Sequence, residues 1–260
     1  MSTSTPPPSE SPAHPDLDPS SWIKVFRPVP KPRFRLVCCP YLGASAGAFS
    51  PLSAAFPPSV EVLSVQYPGR RGSGPEPAAA DIEELAGRIH DELRPWRESP
   101  PLAVLGHSMG AAVAFELTRA LERGGGAPAR LFVSGRPSPS AGLGLRPLET
   151  DDDLVDELRA LGGVSPKLLG RPAFRRMILS VTRQDYRLNS AYLRPPGETV
   201  ACPVTFLLSS DDPYVDRAAA LAWKGHTEGD FRVAEFPGDH FFWTARTAEF
   251  VTAILEDLDC

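Results

Sequence analysis

The sequence carries one pentapeptide suited to nucleophilic chemistry, Gly106-His107-Ser108-Met109-Gly110. A serine hydroxyl set between glycines at the end of an apolar run suits attack on an acyl carbon, because the turn that exposes it leaves no room for neighbouring side chains. The pattern alone is short and weak, and its surroundings strengthen it. Residues 102–105 read as a buried strand, and Val113, Leu117 and Leu121 recur at helical spacing up to Gly124-Gly125-Gly126. Strand, tight turn and helix are what a nucleophile elbow requires, with the serine backbone forced into a strained conformation. A helix starting just after Ser108 would aim its unpaired N–H groups and positive end at the oxygen that becomes anionic.

A serine hydroxyl is a poor nucleophile until a base takes its proton, and after an elbow of this kind the partners follow in the order acid, then histidine. His240 lies in Phe236-Pro237-Gly238-Asp239-His240-Phe241-Phe242, a loop between a strand and the last helix. The other histidines fit less well. His14 is near the start of the chain, His90 is on a polar helix face, His107 adjoins the nucleophile but is expected to point away, and His226 follows Trp223-Lys224-Gly225. The acid is expected after the strand at 204–208, where Ser209-Ser210-Asp211-Asp212-Pro213 stands. Asp212 is favoured because a residue before proline is held extended, and Asp211 is the alternative. For the oxyanion, the loop Pro40-Tyr41-Leu42-Gly43 follows an earlier strand, which assigns the backbone N–H groups of Leu42 and Met109 to the hole.

Positioning these groups takes a particular order of elements. Strands are predicted at Phe34–Cys39 (FRLVCC) and Val60–Val65 (VEVLSV), the latter stopping at Tyr67-Pro68-Gly69, with further strands at 131–133 and Phe231–Phe236. Asp81 is placed to cap a helix with Glu84 reaching back and Ile82, Leu85, Ile89 and Leu93 on one face; Phe250, Val251, Ile254 and Leu255 mark a closing helix. Strands alternating with helices imply an α/β fold with a mostly parallel central sheet covered on both faces. Between about 148 and 193 the alternation breaks into two helical stretches with no strand between them, an insertion of the size of a lid.

At 260 residues the chain suits one large domain, and 42% apolar with 23% charged residues excludes a chain disordered throughout. Residues 1–22, rich in Pro and Ser, are predicted to be a disordered tail and 23–260 the folded domain. The opening residues lack a basic start followed by an apolar stretch, so a secretion signal is not expected. With 27 basic and 32 acidic residues, a net charge of −5 gives no pull toward nucleic acid, and no apolar run approaches the ~20 residues of a membrane span. Cys38, Cys39, Cys202 and Cys260 show no C-x-x-C spacing and read as buried reduced thiols, which suggests the cytoplasm.

Taken together, CCPYLGASAGAF, VQYPGRR, LGHSMGAAVAFEL, LFVSGRPSP, LGGVSP, DDPYV, AWKGHT and FPGDHFFW, in this order over roughly 33–255, resemble the stand-alone type II thioesterases of polyketide and nonribosomal peptide synthesis, within the α/β-hydrolase superfamily. The chain departs from that pattern at Leu42, Ala44 and Ser209, where the family usually has a small residue, a second glycine and a glycine. The resemblance implies hydrolysis of acyl thioesters from the phosphopantetheine arm of an acyl or peptidyl carrier protein, through an acyl-serine intermediate and without metal or organic cofactor. Met177, Ile178 and Tyr186 in the lid are then expected to line the acyl site, with core packing as the competing reading. Arg70 and Arg71 would meet the arm's phosphate or an acidic carrier surface, with a solvated pair as the competing reading. The rival activities are a general carboxylesterase, a chain-terminating or cyclising thioesterase, and a hydrolase-fold protein that only binds.

Overall fold

The structure is a computed structural model that describes residues 22–70, 77–143, 148, 150–161 and 166–259. Its strands are β1 (Ile23–Lys24), β2 (Phe34–Cys39), β3 (Val60–Val65), β4 (Leu102–His107), β5 (Leu131–Ser134), β6 (Val204–Ser209) and β7 (Phe231–Phe236). The α-helices are α1 (Ser50–Ala55), α2 (Ile82–Glu92), α3 (Met109–Arg123), α4 (Asp151–Leu161), α5 (Pro166–Leu169), α6 (Pro172–Ala191), α7 (Arg217–Leu221), α8 (Phe242–Ala245) and α9 (Thr247–Asp257). The strands form one sheet in the order β1-β3-β2-β4-β5-β6-β7, parallel throughout except for β1, which runs antiparallel to β3 at the edge.

The continuous apolar runs of the central strands arise because both faces of the sheet are covered. Val37, Cys39, Val104, Val133, Phe206 and Leu208 pack on one side with α2, α3 and α6; Leu36, Cys38, Ala103, Leu105, Phe132 and Leu207 pack on the other with α1 and α9. Odd and even positions of one strand thus serve two cores, as the period of two requires. Cys38, Cys39 and Cys202 are buried free thiols, and burial pushes the Cys202 thiol up to about 12.

Asp81 caps α2 by accepting from the Glu84 N–H at 2.7 Å, and the Glu84 carboxylate reaches back to the Ala80 N–H at 2.6 Å. Trp22, assigned to the tail by composition, is instead 1% exposed in the core beside β1. The rest of that tail, residues 1–21, lies outside the described residues, as does Cys260. Helices α4, α5 and α6 fill the interval between β5 and β6. Arg175 and Arg183 of α6 pair with Asp152 and Asp151 of α4 at 2.8 and 2.6 Å. No described helix is long and apolar enough to cross a membrane.

Because β2, β4, β5, β6 and β7 run parallel, the loops that leave their carboxyl ends gather along one edge of the sheet. Leu42, Ser108, Gly135, Asp212 and His240 all lie just past such ends.

Candidate active site

Ser108 joins β4 to α3 with φ 55° and ψ −123°, a left-handed conformation that a side chain rarely adopts. Its N–H donates to the Ser134 carbonyl at 2.8 Å and its own carbonyl accepts from the Ala111 N–H at 2.9 Å, so both sides of the strained residue are held. The flanking glycines are sterically required. A Cβ on Gly106 would stand 2.1 Å from the Gly110 carbonyl oxygen, and one on Gly110 would stand 2.1 Å from that of Cys39.

The acid loop after β6 and the histidine loop after β7 are tied together by backbone bonds, Ser210 N–H to the Phe236 carbonyl at 2.9 Å and Asp211 N–H to the Gly238 carbonyl at 3.0 Å. Asp212 is thereby set opposite His240. Its Oδ1 accepts from the Tyr214 N–H at 2.9 Å, while its Oδ2 lies 2.9 Å from His240 Nδ1. With Asp212 accepting from Nδ1–H, the other ring nitrogen, Nε2, is the bare one. That Nε2 is buried and has no hydrogen-bond partner among the described residues. The His240 ring is flanked by Tyr214 at 5.2 Å and Phe241 at 5.0 Å between centroids. Its Cε1 would lie 2.8 Å from a Cβ on Gly135, which lines the same cleft as Ser108. Asp211 is exposed and its carboxylate accepts from the Ser210 hydroxyl instead.

His107 does not point away, as expected from its place beside the nucleophile. Its ring lies 4.6 Å from that of His240, and its Nδ1 is 2.7 Å from Ser134 Oγ. Burial first, and then the charge His240 can carry, hold His107 well below the usual histidine range. A neutral ring therefore backs His240, and an imidazolium there meets no second positive charge. The signal was present in the sequence: as the last residue of β4, His107 is bound to end at the sheet edge where the site gathers.

Residues 41–44 form a turn closed by Ala44 N–H to the Tyr41 carbonyl at 3.0 Å, with Gly43 at φ 75°. Neither the Leu42 N–H nor that of Met109, the first residue of α3, has a partner among the described residues. Leu42 and Ser108 share a cleft with Arg136, Leu143, Tyr186 and Tyr214. Arg136 is almost wholly buried there, bonded to Asn189 and set over the Tyr192 ring, and burial brings its guanidinium down to about 10.

Of the three residues expected at an acyl site, Tyr186 lines the cleft that holds Ser108. Ile178 is buried beside Gly43, and Met177 is 43% exposed; neither is in the cleft wall, because α6 turns position 177 outward. Arg70 does not reach a solvated surface. Its guanidinium is buried against Asp185 and bonds the carbonyls of Ala44 and Pro68, each at about 3 Å. Arg71 lies outside the described residues. Among the described residues no three His, Cys, Asp or Glu side chains converge so as to hold a metal ion.

The thioesterase domain family matches residues 34–259. A probable cadicidin biosynthesis thioesterase of Streptomyces griseus is 40% identical over 91% of this chain, which spans 66% of that protein's length. Thioesterase PikA5 of Streptomyces venezuelae is 38% identical over 94% of this chain and 87% of its own. Among solved structures, the type II thioesterase BorB from the borrelidin biosynthetic cluster superposes with a TM-score of 0.80 at 39% identity, covering 91% of this chain and 97% of that one. YbtT, a type II thioesterase from the yersiniabactin NRPS/PKS pathway, superposes at 0.83 with 28% identity, covering 91% and 98%. The resemblance drawn from the motifs thus holds across the domain. The chain belongs to the thioesterase domain family, hydrolases that act on thioesters, and has the α/β-hydrolase fold of the type II thioesterases to which it is similar.

Proposed function

We propose that this enzyme removes acyl groups from the phosphopantetheine arm of acyl or peptidyl carrier proteins in polyketide or nonribosomal peptide assembly, clearing stalled or wrong chains. The observation that carries the chemistry is the buried 2.9 Å contact of Asp212 with His240, which leaves Nε2 bare beside the cleft that holds Ser108. His240 Nε2 takes the Ser108 proton as Oγ attacks the thioester carbonyl. The N–H groups of Leu42 and Met109 receive the charge that develops on the carbonyl oxygen. The tetrahedral intermediate expels the thiolate, which leaves with the proton held by His240. Water, deprotonated by the same Nε2, then attacks the acyl-serine, and the proton returns to Ser108 as the acid departs.

Helices α4–α6 act as the cover of the acyl site, since Glu157, Tyr186 and Asn189 contribute to the cleft wall. The site of action is the cytoplasm, a reading supported by the buried, unpaired thiols of Cys38, Cys39 and Cys202. Incubation with a panel of acyl-carrier thioesters, followed by mass spectrometry of the intact protein, tests the reading. Each turned-over chain should leave a transient acyl mass on Ser108, absent from Ser108→Ala; faster turnover of simple esters of equal chain length would defeat it.

A further inference from the structure

The turn that offers the Leu42 N–H is pinned on every side of the donor peptide. The carbonyl before it, that of Pro40, accepts from Tyr67 Oη at 3.0 Å. The N–H after it, that of Gly43, donates to Asp185 Oδ2 at 2.8 Å. Ala44 O then accepts from Arg70 Nε at 3.0 Å, and the Ala46 N–H donates to Gln66 Oε1 at 2.7 Å. Gln66, Tyr67 and Arg70 stand just past β3, whereas Asp185 stands on α6, in the insertion between β5 and β6. Asp185 and Arg70 form a buried ion pair with side chains 1% and 3% exposed. Burial pushes the Asp185 carboxyl above its usual value, against the pull of Arg70. Such a pair adds little net stability, because desolvation offsets the attraction. What it does supply is a fixed direction for one peptide plane.

We infer that Asp185 is a positioning residue for the oxyanion turn, acting with Arg70, so that the hole is complete only while α6 is docked. The inference rests on the acyl-serine reading above and adds to it a link between the cover of the acyl site and the catalytic geometry. A helix that moved off the cleft would release the Gly43 N–H, and the turn that holds the Leu42 N–H would lose one of its anchors. Docking of α6 over a bound acyl chain then assembles the hole.

The test compares wild type with Asp185→Asn and Asp185→Leu on a carrier-bound thioester and against an alkylboronate, which becomes tetrahedral on Ser108. Misplacing a group by about 1 Å costs about 10²-fold. Asp185→Leu should therefore lose about 10²-fold in kcat with KM nearly unchanged, and boronate affinity should fall in parallel while affinity for the product acid does not. Asp185→Asn, whose side-chain oxygen can still accept from Gly43, should recover part of both. A merely structural role would lower the melting temperature and leave the kcat and boronate effects absent, which overturns the inference. Should the Leu variant not fold, the Asn variant decides, since unchanged kcat and boronate affinity in it would sink the idea. Labelling of wild type by a fluorophosphonate separates the two readings: no label on Ser108 defeats the acyl-serine mechanism and this inference together.

Discussion

His240 Nδ1 lies 2.9 Å from Asp212 Oδ2, while Asp211, one residue earlier, gives its carboxylate to the Ser210 hydroxyl. Two adjacent acids in one loop thus have unequal positions, and only one can fix the imidazole tautomer. Asp212→Asn should lower kcat on a small thioester by about 10⁴-fold, as the amide favours the wrong tautomer. Asp211→Asn should leave kcat close to wild type. Steady-state kinetics of both variants decide the assignment, and a comparable loss in each would defeat it.

The backbone of Ser108 gives a second, separable prediction. A non-glycine residue at φ 55°, ψ −123° carries about 1–3 kcal/mol of strain, which glycine at the same position relieves. Glycine also gains unfolded-chain entropy, which takes back about 0.5–1 kcal/mol. Ser108→Gly should therefore be inactive yet more stable by about 1 kcal/mol, raising the melting temperature by about 2–4 °C. A melting temperature below that of wild type would show that the elbow is not strained in the way its dihedrals imply.

Local chemistry accounts for what could be read from the chain and what could not. The elbow was legible because Gly106 and Gly110 answer to contacts made within or beside one strand and helix, and the helix at Asp81 because its cap lies within four residues. The sheet was legible because strands buried on both faces leave unbroken apolar runs. Strand β1 and helix α1 were missed, since elements of two and six residues carry too little periodicity to stand out. Arg70 was misread for a different reason. After Pro68-Gly69 an arginine pair looks solvated, and its partner Asp185 lies 115 residues further on, beyond any local pattern. His107 was misread although its place at the end of β4 brings it to the site's edge of the sheet, because nothing in GHSMG says which ring it will meet there.

That ring makes acid stability a test of the site. In the folded chain His107 is held neutral well below its usual range, whereas in the unfolded chain it takes a proton near pH 6.5. Below about pH 6.5 the unfolded state binds the extra proton, so this contribution to stability is whole above that value and is lost as pH falls. The loss runs at about 1.4 kcal/mol per pH unit until the folded ring protonates. His107→Gln should show a shallower decline in urea midpoint from about pH 7 to about pH 5 than wild type. Parallel declines would mean that His107 is charged, or free to become so, in the native state.

The cleft wall predicts how chain length is selected. Tyr186 lines the cavity with Ser108 and is nearly buried, whereas Met177, two and a half turns earlier and so on the opposite face of α6, is 43% exposed and outside it. Each buried CH₂ contributes about 0.8 kcal/mol, roughly fourfold in kcat/KM if the contact is made in the transition state. Tyr186→Ala opens space that a longer acyl chain can fill, so the optimum across a series of straight-chain acyl thioesters should move to longer chains, with short chains losing most. Met177→Ser should leave the profile where it is, because solvent already covers that side chain. The ratio of kcat/KM between a long and a short chain reads the difference directly and is insensitive to the fraction of folded enzyme. An unchanged ratio in Tyr186→Ala, or a shift in Met177→Ser, would mean that the acyl chain runs along another wall.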